Sequence, residues 1–497
     1  MKGNSMSEAI LPGITDTGRT GREQAWTPAK VIYTVLMAFN LLSHLWLFAV
    51  GSGVEVNPVI WMTRLITVPF AVCLGKLWKD RGFRILVIYT LLFTLRSFIP
   101  DPDSLFNQEL AENVLSALWL AGGCYGLGRV LNTRQLKRFL VICAFVWIVG
   151  MAVFSSIGIY AAWNDIRIRS IFNRRRFFGL YKSRLMIMYL SSTSGLFLSI
   201  TALMTILITL CTRNRCCKVL LLVLLTPVFL AMVLTDSRTA YISVAAGLGI
   251  MVFSIVYQHC QQRSKHSARS SQWKLLLFCI FIMLIVFALA LFLIMQVTPL
   301  YNQIRNHGLI PAAYAEGNEE AIISNRGFDG TSSEVLTGRL ELWTDIINYI
   351  IRNPSTLIMG RSKISPLKDI SSNMAHCHNV YLQVLLESGI PGLLLMLCFI
   401  GYTLTRGFRV IRSLEHPLWI RLLPAIPVVL WLGDIVEVFT WFRTSHCPMI
   451  TVLFITAGIL SAHAPGKAKP VPDRRDPEQT ILSGSISQTD EKGSVET

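Results

Sequence analysis

Long apolar runs alternate with short polar or basic connections along most of this chain. The runs fall near 31–51, 58–76, 84–99, 112–128, 139–161, 185–211, 219–235, 240–257, 275–297, 388–405, 418–434 and 447–463. A helix rising 1.5 Å per residue needs about 20 apolar residues to cross a bilayer. These runs are too long and too uniformly apolar for barrel strands. The pattern predicts an all-α, polytopic integral membrane protein of about 12 transmembrane helices. The remaining stretches divide the chain. Residues 1–28 form a cytoplasmic N-terminal tail without the apolar core of a cleavable signal, and spans one to nine cover 29–297. Residues 298–379 make a large external loop containing short helices, and spans ten to twelve cover 380–463. Residues 464–497, rich in Pro, Ser, Gly and charge, read as a disordered cytoplasmic tail.

Composition agrees: of 497 residues, 53% are hydrophobic and 15% charged, with a mean hydropathy of +0.51. A net charge of +17 suits nucleic acid in a soluble protein. Here the cations sit in short connections, so they report topology and no nucleic-acid partner is expected. Lys76, Lys79, Arg81 and Arg84 follow the second span, and Arg129, Arg134, Lys137 and Arg138 the fourth. Arg213, Arg215 and Lys218 follow the sixth, Arg263, Lys265, Arg269 and Lys274 the eighth, and Arg406, Arg409 and Arg412 the tenth. Every even connection is therefore cytoplasmic, and the acidic Pro100–Glu112 is external. One connection departs from the rule. Residues 162–184, external by count, carry Arg167, Arg169, Arg174, Arg175, Arg176, Lys182 and Arg184 against Asp165. Either a span is miscounted or this loop binds an anion, and the clean alternation on both sides favours the anion.

The chemistry concentrates in Ala375–Gly392. His378 stands at the end of the polar loop, before a helical, apolar run. Eleven residues separate it from Gly389, close to three helical turns, which predicts a shared face with Gly392 nearby. Ile390-Pro391 is expected to kink the backbone there. On this topology four features face outward: loop 162–184, Asp236-Ser237-Arg238, Gly338-Arg339 and His378. Arg238 reads as a membrane-surface contact or as a snorkelling span end. Arginines hold and stabilise a diphosphate as it leaves, and a histidine takes a proton from a hydroxyl near neutral pH. Asp236, Asp434 and Glu437 are too scattered for a metal cage, and the eleven cysteines show no metal spacing. A metal-free reaction on a phosphorylated lipid is the expectation. Arg64 and Arg96 read as snorkelling or as lining an outer cavity, Glu387 as an interfacial charge, and Asp434, Glu437 and Arg443 as a local ion pair. Cys377 and Cys447 both fall outside, where an oxidising compartment allows a disulfide.

These residues carry a resemblance. Asp236-Ser237-Arg238, then Gly338-Arg339-Leu-Glu-Leu-Trp343, then Asn353-Pro354 with Gly360, then His378-Asn379 followed after nine residues by Gly389-Ile-Pro-Gly392, resembles the O-antigen ligase and polymerase superfamily. Arg176-Phe-Phe-Gly179 resembles the family's external approach to the sixth span, and the likeness covers about 170–405. The chain departs from the family pattern at Arg361-Ser362 and at Tyr181-Lys182-Ser183-Arg184. The resemblance implies a glycosyltransferase of the bacterial cytoplasmic (inner) membrane with its active site on the periplasmic side. The donor would be a polyprenyl-diphosphate-linked glycan and the acceptor a glycan or lipid A–core hydroxyl. Neither nucleotide nor metal cofactor is implied. His378 would be the general base. Arg238 and Arg176, with Arg174 and Arg175 beside it, would hold the diphosphate, and Arg339 would be a further contact. Asn379, Gly389, Gly392, Gly338 and Trp343 would be structural. Polymerisation of lipid-linked repeat units is the alternative within the family, followed by transfer to protein. A polysaccharide-lipid transporter is the alternative of another class, and the absence of repeated halves with matching broken helices weighs against it.

Overall fold

The computed structural model describes residues 26–50, 58–98, 114–164, 166–169, 177–181, 184–188, 191–235, 237–263, 269–304, 339–361, 370, 377–435 and 448–464. These residues are mainly helical. The chain opens with α1 (Pro28–Val50), α2 (Pro58–Gly75) and α3 (Arg81–Phe98). Next come α4 (Val114–Val130), which widens into a π turn at Trp119–Cys124, and α5 (Thr133–Trp163). A small sheet follows, then α6 (Ser191–Cys211), α7 (Arg215–Leu234), α8 (Arg238–Arg263) and α9 (Arg269–Ile304). The predicted external loop contributes α10 (Arg339–Arg352) and α11 (Ser355–Met359). The chain closes with α12 (Val380–Arg412), the short α13 (Leu418–Leu422) and α14 (Ala425–Gly433), and α15 (Pro448–His463).

The predicted spans fall largely on helix, apart from the start of the sixth. Five helices, α5 to α8 and α12, are long and apolar enough to cross a membrane by length and composition, and five shorter apolar helices accompany them. Local chemistry explains several boundaries. Asn132 caps α5, its side chain accepting from Gln135 N–H while the Gln135 side chain returns a bond to Asn132 N–H. Pro424 leads α14, so the eleventh predicted span is two short helices.

The basic loop corrects a purely helical expectation. Ile168–Arg169, Phe177–Tyr181 and Arg184–Ile187 form β1, β2 and β3 of an antiparallel sheet in the order β1-β2-β3. Phe178 pairs with Ile187 and Tyr181 with Arg184. Helix α6 therefore starts at Ser191, after the strand, and not at the predicted 185. Gly179 has φ +137° and Ile166 O 2.6 Å from where a Cβ would stand, so a side chain there would collide with the backbone.

The ends of the helices sort into two groups. Gln261 Nε2 donates to Arg412 O (3.1 Å), Thr133 Oγ1 meets His463 Nε2 (3.3 Å), and Ser461 donates to Asp80 (2.6 Å). The predicted basic connections meet at this end. At the other, Gly158 approaches Leu185 and Ile187 of β3, and a Cβ on Gly195 would stand 2.5 Å from Ser237 Cβ. A Cβ on Gly433 would lie 3.5 Å from Leu196 and 3.7 Å from Thr239. The sheet, the starts of α6, α8 and α12 and the end of α14 thus share one end.

Candidate functional site

His378 is the second residue of a short link that enters α12. Its φ of +49° is left-handed, a conformation uncommon for any residue with a side chain. Peptides on both sides of it are tied down. Cys377 N–H donates to Gln383 Oε1 (2.9 Å), and Cys377 O accepts from Trp343 Nε1 (2.9 Å). Asn379 Oδ1 caps α12 through Leu382 N–H (3.0 Å), while its Nδ2 donates to Ile435 O (2.8 Å). Val380 N–H donates to Asp434 O (2.9 Å). His378 itself is half-buried.

Two of the predicted arginines begin helices that reach the same end. Arg238 is half-buried at the start of α8, where Ser237 Oγ accepts from Ala240 N–H (3.4 Å). Thr239 packs beside Gly433, whose neighbour Asp434 holds Val380. Arg339 opens α10 four residues before Trp343, so both stand on the face of α10 turned to the His378 link. Arg174, Arg175, Arg176, Gly338, Asp236, His376, Glu437, Arg443 and Cys447 lie outside the described residues, as does the Arg96 side chain. Arg167, from the same basic loop, is exposed, donates to Leu180 O (3.3 Å) and stacks on Phe177. Among the described residues, no three His, Cys, Asp or Glu side chains are grouped to hold a metal.

The glycines act differently from the expectation. His378 lies before the helix, so it shares no helical face with Gly389. The break is at Gly389 itself, with φ +65° and ψ −169°, and not at Ile390-Pro391. Pro391 instead enters the first turn of the second segment, where its missing N–H costs nothing. A Cβ on Gly389 would stand 2.7 Å from Leu357 O and 2.8 Å from Ile358 O, and one on Gly360 would meet the backbone of Glu387. Arg361 N–H donates to Leu386 O (2.7 Å). The two glycines thus let α11 cross the break backbone to backbone. A Cβ on Gly392 would stand 2.3 Å from Ser388 Cβ, four residues earlier in the same chain segment.

A small core fixes this unit. Leu342, Ile346 and Ile350, one stripe of α10, bury with Cys377 and Leu386. Ile347, one position off that stripe, is 46% exposed. Glu387 is buried and accepts from Gln383 Nε2, so it is not the interfacial charge expected. Gln383 had no signal beyond its place one turn before Glu387. Arg64 is also buried, stacked over Trp61 (5.0 Å) and Trp119 (4.5 Å), and does not snorkel.

No curated protein matches the chain. Residues 221–397 match the family model described as O-antigen ligase, a region that holds Arg238, Arg339 and the whole His378 unit. Helices of membrane-crossing length and this match together support an integral membrane protein and, in general terms, an enzyme. Residues 221–397 are thus similar to the O-antigen ligase family, the resemblance that the sequence motifs carry.

Proposed function

We propose that the protein transfers a glycan from a polyprenyl diphosphate to an acceptor hydroxyl at the outer face of the cytoplasmic membrane, with inversion and without a metal. One arrangement carries this reading. A histidine held rigidly in a left-handed turn stands at the same end as the arginines that lead α8 and α10. The imidazole of His378 takes the proton of the acceptor hydroxyl as its oxygen attacks the anomeric carbon. The bond from that carbon to the diphosphate oxygen breaks, and the charge appears on the leaving diphosphate. Arg238 and Arg339, with Arg176 and its neighbours Arg174 and Arg175, offset that charge through bidentate bonds.

The test uses purified full-length protein with lipid-linked glycan and acceptor fractions from a deletion strain. His378→Ala is expected to lower transfer by roughly 10²–10⁴-fold, the range of a lost general base, with the melting temperature kept. Undiminished transfer by that variant overturns the assignment. The deletion strain also separates ligation from polymerisation of repeat units: bare acceptor marks a ligase, and acceptor carrying a single repeat marks a polymerase. The spacing of His378-Asn379 and Gly389-Ile-Pro-Gly392 favours the ligase.

A further inference from the structure

Gln383 and Glu387 sit one turn apart on the first segment of α12, and both are buried. Their bonds run in one direction. Glu387 accepts from Gln383 Nε2, and Gln383 Oε1 accepts from Cys377 N–H. We infer that this pair forms a positioning relay that sets the direction of the His378 imidazole; the inference rests on His378 being the base.

Hydrogen-bond polarity supplies the reason. An ionised carboxylate only accepts, whereas a glutamine amide donates at one end and accepts at the other. With Glu387 facing the amide, Nε2 must point to it, and Oε1 is left for Cys377 N–H. The reversed amide would set donor against donor at Cys377 and oxygen against oxygen at Glu387. Glu387 thus removes the twofold ambiguity of the amide. Gln383 then fixes one side of the Cys377 peptide while Trp343 fixes its carbonyl. Asn379 and Asp434 fix the chain beyond. A left-handed histidine persists only where its surroundings over-determine it. Release of the Cys377 N–H lets residue 378 return to an ordinary backbone basin, which swings the imidazole away from the hydroxyl. The arginines that hold the donor stand on other helices and are undisturbed.

Reversing the polarity of the pair tests this. In Gln383→Glu two carboxylates abut. In Gln383→Glu with Glu387→Gln the relay is rebuilt, because the carboxylate accepts from both Cys377 N–H and the new amide. Full-length variants are assayed with the deletion-strain fractions, donor titrated and melting temperature recorded. Gln383→Glu is expected to lower kcat by at least about tenfold with donor KM unchanged, the pattern of a displaced catalytic group. Adding Glu387→Gln should return most of the lost kcat. Gln383→Met, which carries no charge, should lower kcat with no rescue by Glu387→Gln, and it decides the matter where Gln383→Glu does not fold. A double variant no faster than Gln383→Glu, or a Gln383→Met enzyme of full kcat, overturns the relay. Inactive His378→Ala beside fully active Gln383→Met removes the relay and leaves the base in place, whereas active His378→Ala removes the base itself.

Discussion

At the basic end, four helices converge on the carboxylate of Asp80. It accepts from Phe83 N–H at the start of α3 (3.0 Å), Tyr125 Oη on α4 (2.6 Å), Ser461 Oγ on α15 (2.6 Å) and Tyr402 Oη on α12 (3.4 Å), and it pairs with Arg129. At the site end, the main contacts run from backbone to backbone or from amide to peptide. Gly179, Gly360, Gly389, Met188 and His378 have positive φ at this end, against Lys76 at the basic end. One end is a knot of charge-assisted bonds around a single group, which resists relaxation. The other stores conformational strain in the residues that would do the chemistry. On the proposed mechanism stability and function fall at opposite ends, and three substitutions with one control probe that division.

The largest effect is expected at Gly389. Its φ and ψ belong to a region that only glycine enters readily, and two carbonyls crowd the missing side chain. Gly389→Ala should cost about 1–3 kcal/mol from backbone strain alone. It should also lower transfer on the order of tenfold, because the shifted segment carries Gln383 and Asn379. Gly401, on the second segment of α12 with nothing within 4 Å, is the control. Gly401→Ala should leave transfer intact and raise stability by up to ~1 kcal/mol. Thermal unfolding and transfer on both variants check this. Equal losses at the two glycines would erase the special status of the site end.

Asp80→Asn should do the converse: lower the melting temperature while leaving transfer per folded molecule unchanged. The amide keeps an acceptor but weakens the pair with Arg129 and the bonds from Ser461 and Tyr125, a loss on the order of 1–3 kcal/mol. Burial by itself would raise the pKa of Asp80. Hydrogen bonds from Ser461, Tyr125 and Phe83 N–H, with the Arg129 charge, outweigh it and hold the carboxyl below the usual range. A depressed folded pKa stabilises above the unfolded value, near 3.9, and that stabilisation is lost as pH falls through the lower folded value. Wild-type melting should therefore drop in that acidic window, and Asp80→Asn should flatten the drop. Reduced transfer by well-folded Asp80→Asn would show that the two ends are coupled.

Much of this division was legible in the chain. The apolar runs located the helices, since a helix in lipid must satisfy its backbone within the segment. The change from polar to apolar after His378 announced a helix start, although the histidine stands before that helix and not on it, and the even basic connections collect at one end. What escaped has a common cause. Phe177–Tyr181 is a short stretch beside a run of arginines, and its strand character comes from pairing with Arg184–Ile187. The break at Gly389 depends on carbonyls of α11, about thirty residues away in sequence, while the neighbouring proline drew attention by its local rule. Glu387 looked exposed because a lone carboxylate on an amphipathic segment usually is, and its burial follows from α10 and α11 docking on that segment.

The smallest effect is expected at Arg64, and it tests where the site end stops. Arg64 lies two turns from the start of α2, on the side of the molecule away from the Asp80 knot. It is 2% exposed, and its Nε has no hydrogen-bond partner among the described residues. The faces of Trp61 and Trp119 are the contacts that compensate it. A desolvated cation over indole is worth about 2 kcal/mol, and the desolvation penalty of an interior charge is of similar size or larger. Arg64→Leu removes both together, so stability should change by no more than ~1 kcal/mol. If Arg64 only packs the first four helices, transfer should stay within about twofold of the wild type, since no group of the site is displaced. Collapse of transfer in a well-folded Arg64→Leu protein would give the opposite result. The buried guanidinium would then serve the same anion as Arg238, and the site would extend beyond the family-matched region into the N-terminal helices.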